Sequence, residues 1–207
     1  WEEEHICHIV FRKGKIHLEM HFEPAGVPNG KAGETVREYI SDMIETSSPV
    51  KSDICTFVNP DKFHHGLIML LHMQHHLLSE GIGLRHLCDW AVFVNSFKGN
   101  EFETLFKERL KSVGLWTFAK TISLAASIGI GLPKQEFMGG NTELACSTLN
   151  YIISGGHFGS KDKDRSGEGF FISNRGKDGV NHSRPVQFIL SVNQIVYTNW
   201  KVTKRVK

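Results

Sequence analysis

Between Lys15 and Glu23 apolar and polar residues alternate without a break, with Ile16, Leu18, Met20 and Phe22 separated by His17, Glu19 and His21. A period of two puts the apolar set on one face of a strand and the ionisable set on the other. Residues 5–11 form a second run, and Arg12-Lys13-Gly14 supplies a turn between them, so the chain is expected to open on a β-hairpin. Two strands alone are marginal in water, which makes this hairpin the expected part of a larger sheet. Residues 24–33 hold Pro24, Gly26, Pro28, Asn29, Gly30 and Gly33, the composition of a linker.

Past that linker the period becomes helical. Val36, Tyr39, Ile40, Met43 and Ile44 predict an amphipathic helix over 34–45, broken by Ser47-Ser48-Pro49. Asn59-Pro60 is a start signal, since Asn can cap exposed amides and Pro suits the first turn, and the helix it opens is expected to reach Ser79. Gly81 and Gly83 end it, and an apolar segment over 84–97 follows at once, the arrangement of an antiparallel helical hairpin. Further helices are expected over 101–112, 116–128 and 142–153. Residues 154–179 mix glycines with Lys, Asp, Arg and Ser and read as a long polar loop. Pro185 then opens an apolar segment to Trp200, read as a terminal helix with a basic tail. The expected class is α+β, predominantly α, with terminal strands in 1–25 and a helical domain over 26–207 that carries the Gly-rich loop at 154–179.

A chain of 207 residues with 40% hydrophobic content can bury one sizeable core. Lys and Arg number 24 against 22 Asp and Glu, a net charge of +2 that gives no specific signal for nucleic acid. Cys7, Cys55, Cys88 and Cys146 are dispersed, without the short spacing of a zinc or redox motif, and a reducing, cytoplasmic setting is expected. The acidic start at Glu2-Glu3-Glu4 is unlike a signal peptide. The most apolar windows, 66–71 and 117–132, are short or interrupted, below the ~20 residues of a membrane-spanning helix, so no membrane segment is expected.

Three places can carry chemistry. On the 15–23 strand, His17, Glu19, His21 and Glu23 share a face and either converge on one cation or form a solvated polar face. On the helix after Pro60, His72 and His76 are four apart and stack on one side, the spacing of a chelating pair or of histidines lining a cleft. Arg85 and Asp89 are also four apart, and make either an ordinary surface ion pair or a phosphate clamp in which Asp89 steadies the guanidinium. Gly155-Gly156-His157-Phe158-Gly159 lacks the Lys-Ser/Thr sequel of a phosphate-binding loop and, by itself, reads as a loop.

Taken together, Glu19-Met20-His21-Phe22, the stretch Leu71-His72-Met73-Gln74-His75-His76 followed by Gly81-Ile82-Gly83-Leu84-Arg85 and Asp89, and Gly155-Gly156-His157-Phe158-Gly159 resemble the uncharacterised bacterial nucleotidyltransferases called nucleotidyltransferase family 5. The resemblance spans about residues 5–160. It implies a nucleotidyltransferase-like sheet, of which the hairpin is the end. It also implies transfer of a nucleoside monophosphate from a nucleoside triphosphate to an unknown acceptor, with Mg²⁺ held by three carboxylates. Glu19 matches the third of these and is the implied catalytic and metal-binding residue, while His21, His72, His76, Arg85 and Asp89 are the implied substrate-binding set. The chain is read as lacking the Gly-Ser turn and Asp-x-Asp strand that carry the other two carboxylates, which are expected before Trp1. One carboxylate cannot hold the metals that nucleotidyl transfer needs, so the isolated chain is expected to be inactive. Two alternatives stand beside this reading. One is a non-catalytic helical binding module; the other is a metal-dependent phosphohydrolase using His72, His76 and Asp89, which lacks the adjacent His-Asp pair of that class.

Overall fold

A computed structural model describes residues 2–4, 8–79 and 81–154, with side chains from residue 8 to 77 and from 81 onward. The opening hairpin is present as β2, His8–Lys13, and β3, Ile16–His21, and a further strand, β1, Glu2–Glu4, pairs antiparallel with β2 to make a three-stranded sheet in the order β1-β2-β3. The larger sheet expected around the hairpin therefore gains a strand from the acidic residues at the start. Facing pairs in β2 and β3 are Val10 with Glu19 and His8 with His21 on one face, and Ile9 with Met20 and Phe11 with Leu18 on the other.

The covered face is the reverse of what alternation suggests. Ile16, Leu18, Met20 and Phe22 are 68%, 59%, 53% and 65% exposed, whereas Val10, on the face of Glu19 and His21, is buried. The period of two says which residues share a face, and packing against the helices decides which face is covered.

Two short helices follow, α1, Lys31–Ile40, and α2, Met43–Thr46, where the sequence predicted one helix over 34–45. Helix α1 begins inside the predicted linker because Gly33 serves packing: a Cβ there would lie 1.7 Å from the Pro28 carbonyl oxygen. Strands β4, Ser48–Lys51, and β5, Thr56–Asn59, pair antiparallel in a second, exposed hairpin that the Ser-Ser-Pro break concealed.

Helix α3, Lys62–Ser79, is followed by α4, Leu84–Asn95. Its cap is Asp61, whose Oδ1 accepts the His64 backbone N–H at 2.9 Å, in place of the Asn59 expected from the sequence. The His64 ring is buried between three elements: Nε2 lies 2.8 Å from the Tyr39 carbonyl and 3.2 Å from Asp42 Oδ1, and Nδ1 lies 2.9 Å from Asp61. This ring ties the end of α1 and the start of α2 to α3.

The remaining helices are α5, Glu101–Ser112, α6, Trp116–Ile130, and α7, Thr142–Ser154, with a 3₁₀ turn at Glu136–Met138. Helix α6 runs through the core with Phe118, Ala119, Ile122, Ser123, Ala125 and Ala126 buried, and α4, α5 and α7 pack around it. Trp90 of α4, fully buried, satisfies its indole N–H on Ser123 Oγ at 2.9 Å. Aromatic rings fill the space between α4 and α5, with Phe102 stacked on Phe106 at 4.6 Å and on Phe137 at 4.4 Å between ring centres. No described helix is long and apolar enough to cross a membrane. Of the Gly-rich loop expected over 154–179, Ser154 is the last residue of α7 and 155–179 lie outside the described residues, as does the terminal segment at 185–200.

Candidate functional site

Three local features bring the sequence-derived residues into one region. The turn after β3 passes tightly over α3 at Gly26, where φ is +90° and a Cβ would stand 2.3 Å from the Leu71 carbonyl oxygen. Only glycine fits there, and the turn that follows β3 is seated on the middle of α3. Glu23 accepts from Arg37 Nε at 2.6 Å and fastens the same turn to α1. At the far end of α3, Gly81 adopts φ +86° and donates its N–H to the His76 carbonyl at 2.7 Å, so α4 turns back sharply and lays its first turn beside the end of α3.

The outcome is a cluster of imidazoles. His72 and His76 lie edge to face, 4.4 Å between ring centres, and His86 from the first turn of α4 sits 5.9 Å from each. His75 lies 5.6 Å from His76. On the sheet, the His21 ring packs 4.7 Å from His8, and its Nε2 is 3.5 Å from Glu19 Oε2.

The charges of these groups act on one another across the junction. Burial pushes His72 down from its ordinary 6.5 to about 4, with repulsion from His76, His86, His75 and His21 adding to it. His76 is likewise pushed down to about 4, by burial first and then by His75 and His86, while the carboxylate of Glu19 pulls the other way. Glu19 and His21 on β3 are thus within electrostatic reach of His76 and His72 on α3. Burial also lowers His86, opposed by the Gly83 carbonyl and Asp89 and assisted by Arg85. The Nδ1 atom of His86 is buried, and the Gly83 carbonyl, which accepts the His86 backbone N–H at 3.1 Å, is also the backbone group that acts on the ring. Near neutral pH His72, His76 and His86 are therefore uncharged, with ring nitrogens and N–H groups gathered in one place.

Arg85 and Asp89 lie at the rim, both well exposed, with Arg85 Nε 3.8 Å from Asp89 Oδ2. That distance is a loose surface pair, and the guanidinium keeps most of its donors for solvent or a ligand. The convergence of His17, Glu19, His21 and Glu23 on one cation does not occur. Glu23 is held by Arg37, and no group of three or more His, Cys, Asp or Glu among the described residues is arranged to hold a metal ion. Mg²⁺ prefers oxygen ligands, and the groups that meet here are Glu19, Asp89 and imidazoles, so the described residues by themselves do not fit it. Cys55, Cys88 and Cys146 are free thiols.

Sequence reasoning missed His86. Its signal is the brevity of the Gly81–Gly83 connection, which forces the first turn of α4 against the last turns of α3. A literal Gly-Ser followed by Asp-x-Asp also occurs, against expectation, at Gly159-Ser160 and Asp162-Lys163-Asp164. It lies outside the described residues, as does Gly155-Gly156-His157-Phe158-Gly159. The Lys and Arg residues around those two aspartates leave no apolar alternation of the sort a buried strand carries.

A shallow hollow of about 560 Å³ between Lys62, Phe97, Glu101 and Arg109 is a separate feature at the start of α3. It is removed from His72 by ten residues of helix, or ~15 Å at the usual rise.

Comparison with known proteins gives a family and nothing nearer. No curated protein and no solved structure matches the chain. The family model described as an uncharacterised nucleotidyltransferase matches residues 1–127, from the first strand into α6, and so takes in Glu19, the imidazole cluster, Arg85 and Asp89. With that match over more than half its length, the chain belongs to the uncharacterised nucleotidyltransferase family.

Proposed function

We propose that this chain contributes the nucleotide-holding side of a Mg²⁺-dependent nucleotidyltransferase that moves a nucleoside monophosphate from a nucleoside triphosphate to an acceptor still to be identified, in the cytoplasm. In this reading residues 1–25 are terminal strands of the catalytic sheet, and 26–207 form a helical domain that covers the nucleotide. Glu19 is one metal-binding carboxylate; His21, His72, His76 and Asp89 line the nucleotide site; Arg85 meets a phosphate with its planar donor fork. The observation that supports the proposal is the gathering of the His72, His76 and His86 rings close to the turn that seats the end of β3 on α3 at Gly26.

Metal ions would neutralise the pyrophosphate leaving group and activate the acceptor hydroxyl. Among the described residues only Glu19 is offered for that task, and Asp162 and Asp164, set among Lys and Arg, are not read as the missing pair, so the isolated chain is expected to be inactive. Two measurements test the proposal. Calorimetric titration of ATP, GTP, CTP and UTP into the chain is expected to give saturable binding of at least one, weakened more than tenfold in Arg85→Ala. A transfer assay with Mg²⁺ and the same nucleotides is expected to show no turnover. Binding that is absent, or indifferent to Arg85, leaves the chain as a non-catalytic helical module; robust turnover assigns the carboxylates wrongly.

A further inference from the structure

We propose that His72, His76 and His86, where α3, α4 and the polar face of β3 meet, form a polyphosphate site that takes up protons as the anion binds. The inference rests on the nucleotide reading above and adds to it a coupling between ligand charge and imidazole charge.

The geometry brings three rings from two helices close together, 4.4 to 5.9 Å apart between ring centres, with Nδ1 of His86 buried. Such a cluster stays neutral in the free protein, since charging one ring burdens its neighbours. A neutral imidazole offers one N–H donor, whereas an imidazolium offers two. An anion among these rings therefore gains both donors and charge if protons come with it. At ~5 Å and an effective dielectric constant of ~20, each unit of negative charge raises a neighbouring imidazole's pKa by about two. His72 and His76 start at about 4, so two such charges carry one or both past 7.

The groups facing the cluster set the limits. His75 on α3 and His21 on β3 resist a second proton; Glu19 on β3 and Asp89 on α4 favour the first; Arg85 on α4 adds fixed positive charge at the rim. Uptake of one to two protons at pH 7.5 is expected, and binding then tightens by about tenfold or more for each pH unit between 8 and 6 as the cluster charges more readily.

The experiment is calorimetric titration of metal-free tripolyphosphate, and in parallel of ATP, into the full chain at pH 7.5, in buffers of differing ionisation enthalpy. The slope of the observed enthalpy against that of the buffer counts the protons. The same titrations on His72→Gln/His76→Gln carry the ligand's own protonation and subtract it. Proton-detected imidazole spectra of the unmodified chain, with and without ligand, locate the charge if that variant folds poorly. Uptake in the unmodified chain that is lost in the variant, or imidazole signals that move to the charged form on binding, supports the proposal. Saturable binding with no net uptake and unmoved imidazole signals overturns the proton coupling and leaves the nucleotide reading standing. Failure of both ATP and tripolyphosphate to bind overturns the nucleotide reading as well.

Discussion

Lowering the pH from 7.5 to 5 should destabilise this protein through His72 and His76, before most carboxylates protonate. Both rings have folded-state pKa values pushed down from 6.5 to about 4, by burial first and by neighbouring imidazoles second. In the unfolded chain they titrate near the ordinary value, so between pH 6.5 and 4 the unfolded state binds more protons than the folded state. Stability therefore rises with pH in that window; it is fully present above about 6.5 and is lost as the pH falls towards 4. Taken at face value, a depression from 6.5 to about 4 corresponds to roughly 3 kcal/mol per ring at ~1.4 kcal/mol for each pKa step. The rings are only partly buried, and solvent screening reduces this to the order of 1 kcal/mol each. Urea unfolding followed by circular dichroism at pH 7.5, 6.5, 5.5 and 5 should register it: at ~1–3 kcal/mol per molar urea, the midpoint should fall by about 1 M. His72→Asn/His76→Asn should flatten that dependence. Equal pH slopes in the unmodified protein and the variant would refute the reasoning.

Other substitutions probe the elements that build the junction. Gly26→Ala should cost at least ~2 kcal/mol, because it strains a φ of +90° and drives a Cβ to 2.3 Å from the Leu71 carbonyl oxygen; Gly14→Ala, at φ +60° with open space around it, should cost only ~1 kcal/mol, and thermal melts of the two compare them directly. Gly66→Ala should destabilise by ~1–3 kcal/mol, since its Cβ would meet the Phe106 ring at 2.5 Å in the aromatic core, with the loss read from chemical denaturation. Arg85→Ala should change stability by less than ~1 kcal/mol, as expected for a loose exposed pair, while weakening nucleotide binding more than tenfold; Arg85→Lys, which keeps charge and loses the fork, should restore binding only in part in the same titration.

The helices were legible in the sequence where period and punctuation agreed. The helix read over 101–112 and α5 coincide, and the helix read from 142 begins where α7 does. Where punctuation stood alone it misled. Asn59-Pro60 announced α3, but Asp61 caps it, because Asn59 is the last residue of a strand that pairs with Ser48. Gly33 looked like linker and is a helical residue too close to Pro28 for any side chain. The short strands β4 and β5, exposed along their length, carry no alternation that a core would impose. For the site, spacing identified His72 with His76 and Arg85 with Asp89 as pairs, and helix geometry kept both. Placing Glu19 and His21 with those imidazoles in one site was an expectation from the resemblance alone, since no spacing in the sequence links β3 to α3. His86 was not singled out, because its importance arises from the sharpness of the turn at Gly81.

The most direct test of a nucleotide site at the junction is residue-specific imidazole NMR of the full chain during titration with a non-hydrolysable nucleoside triphosphate. His72, His76 and His86 should shift together and saturably, while His64, buried and held by Tyr39, Asp42 and Asp61, should stay fixed as an internal reference. Unmoved signals from His72, His76 and His86, or ligand-induced shifts confined to the hollow at Lys62, Phe97 and Arg109, would contradict the account.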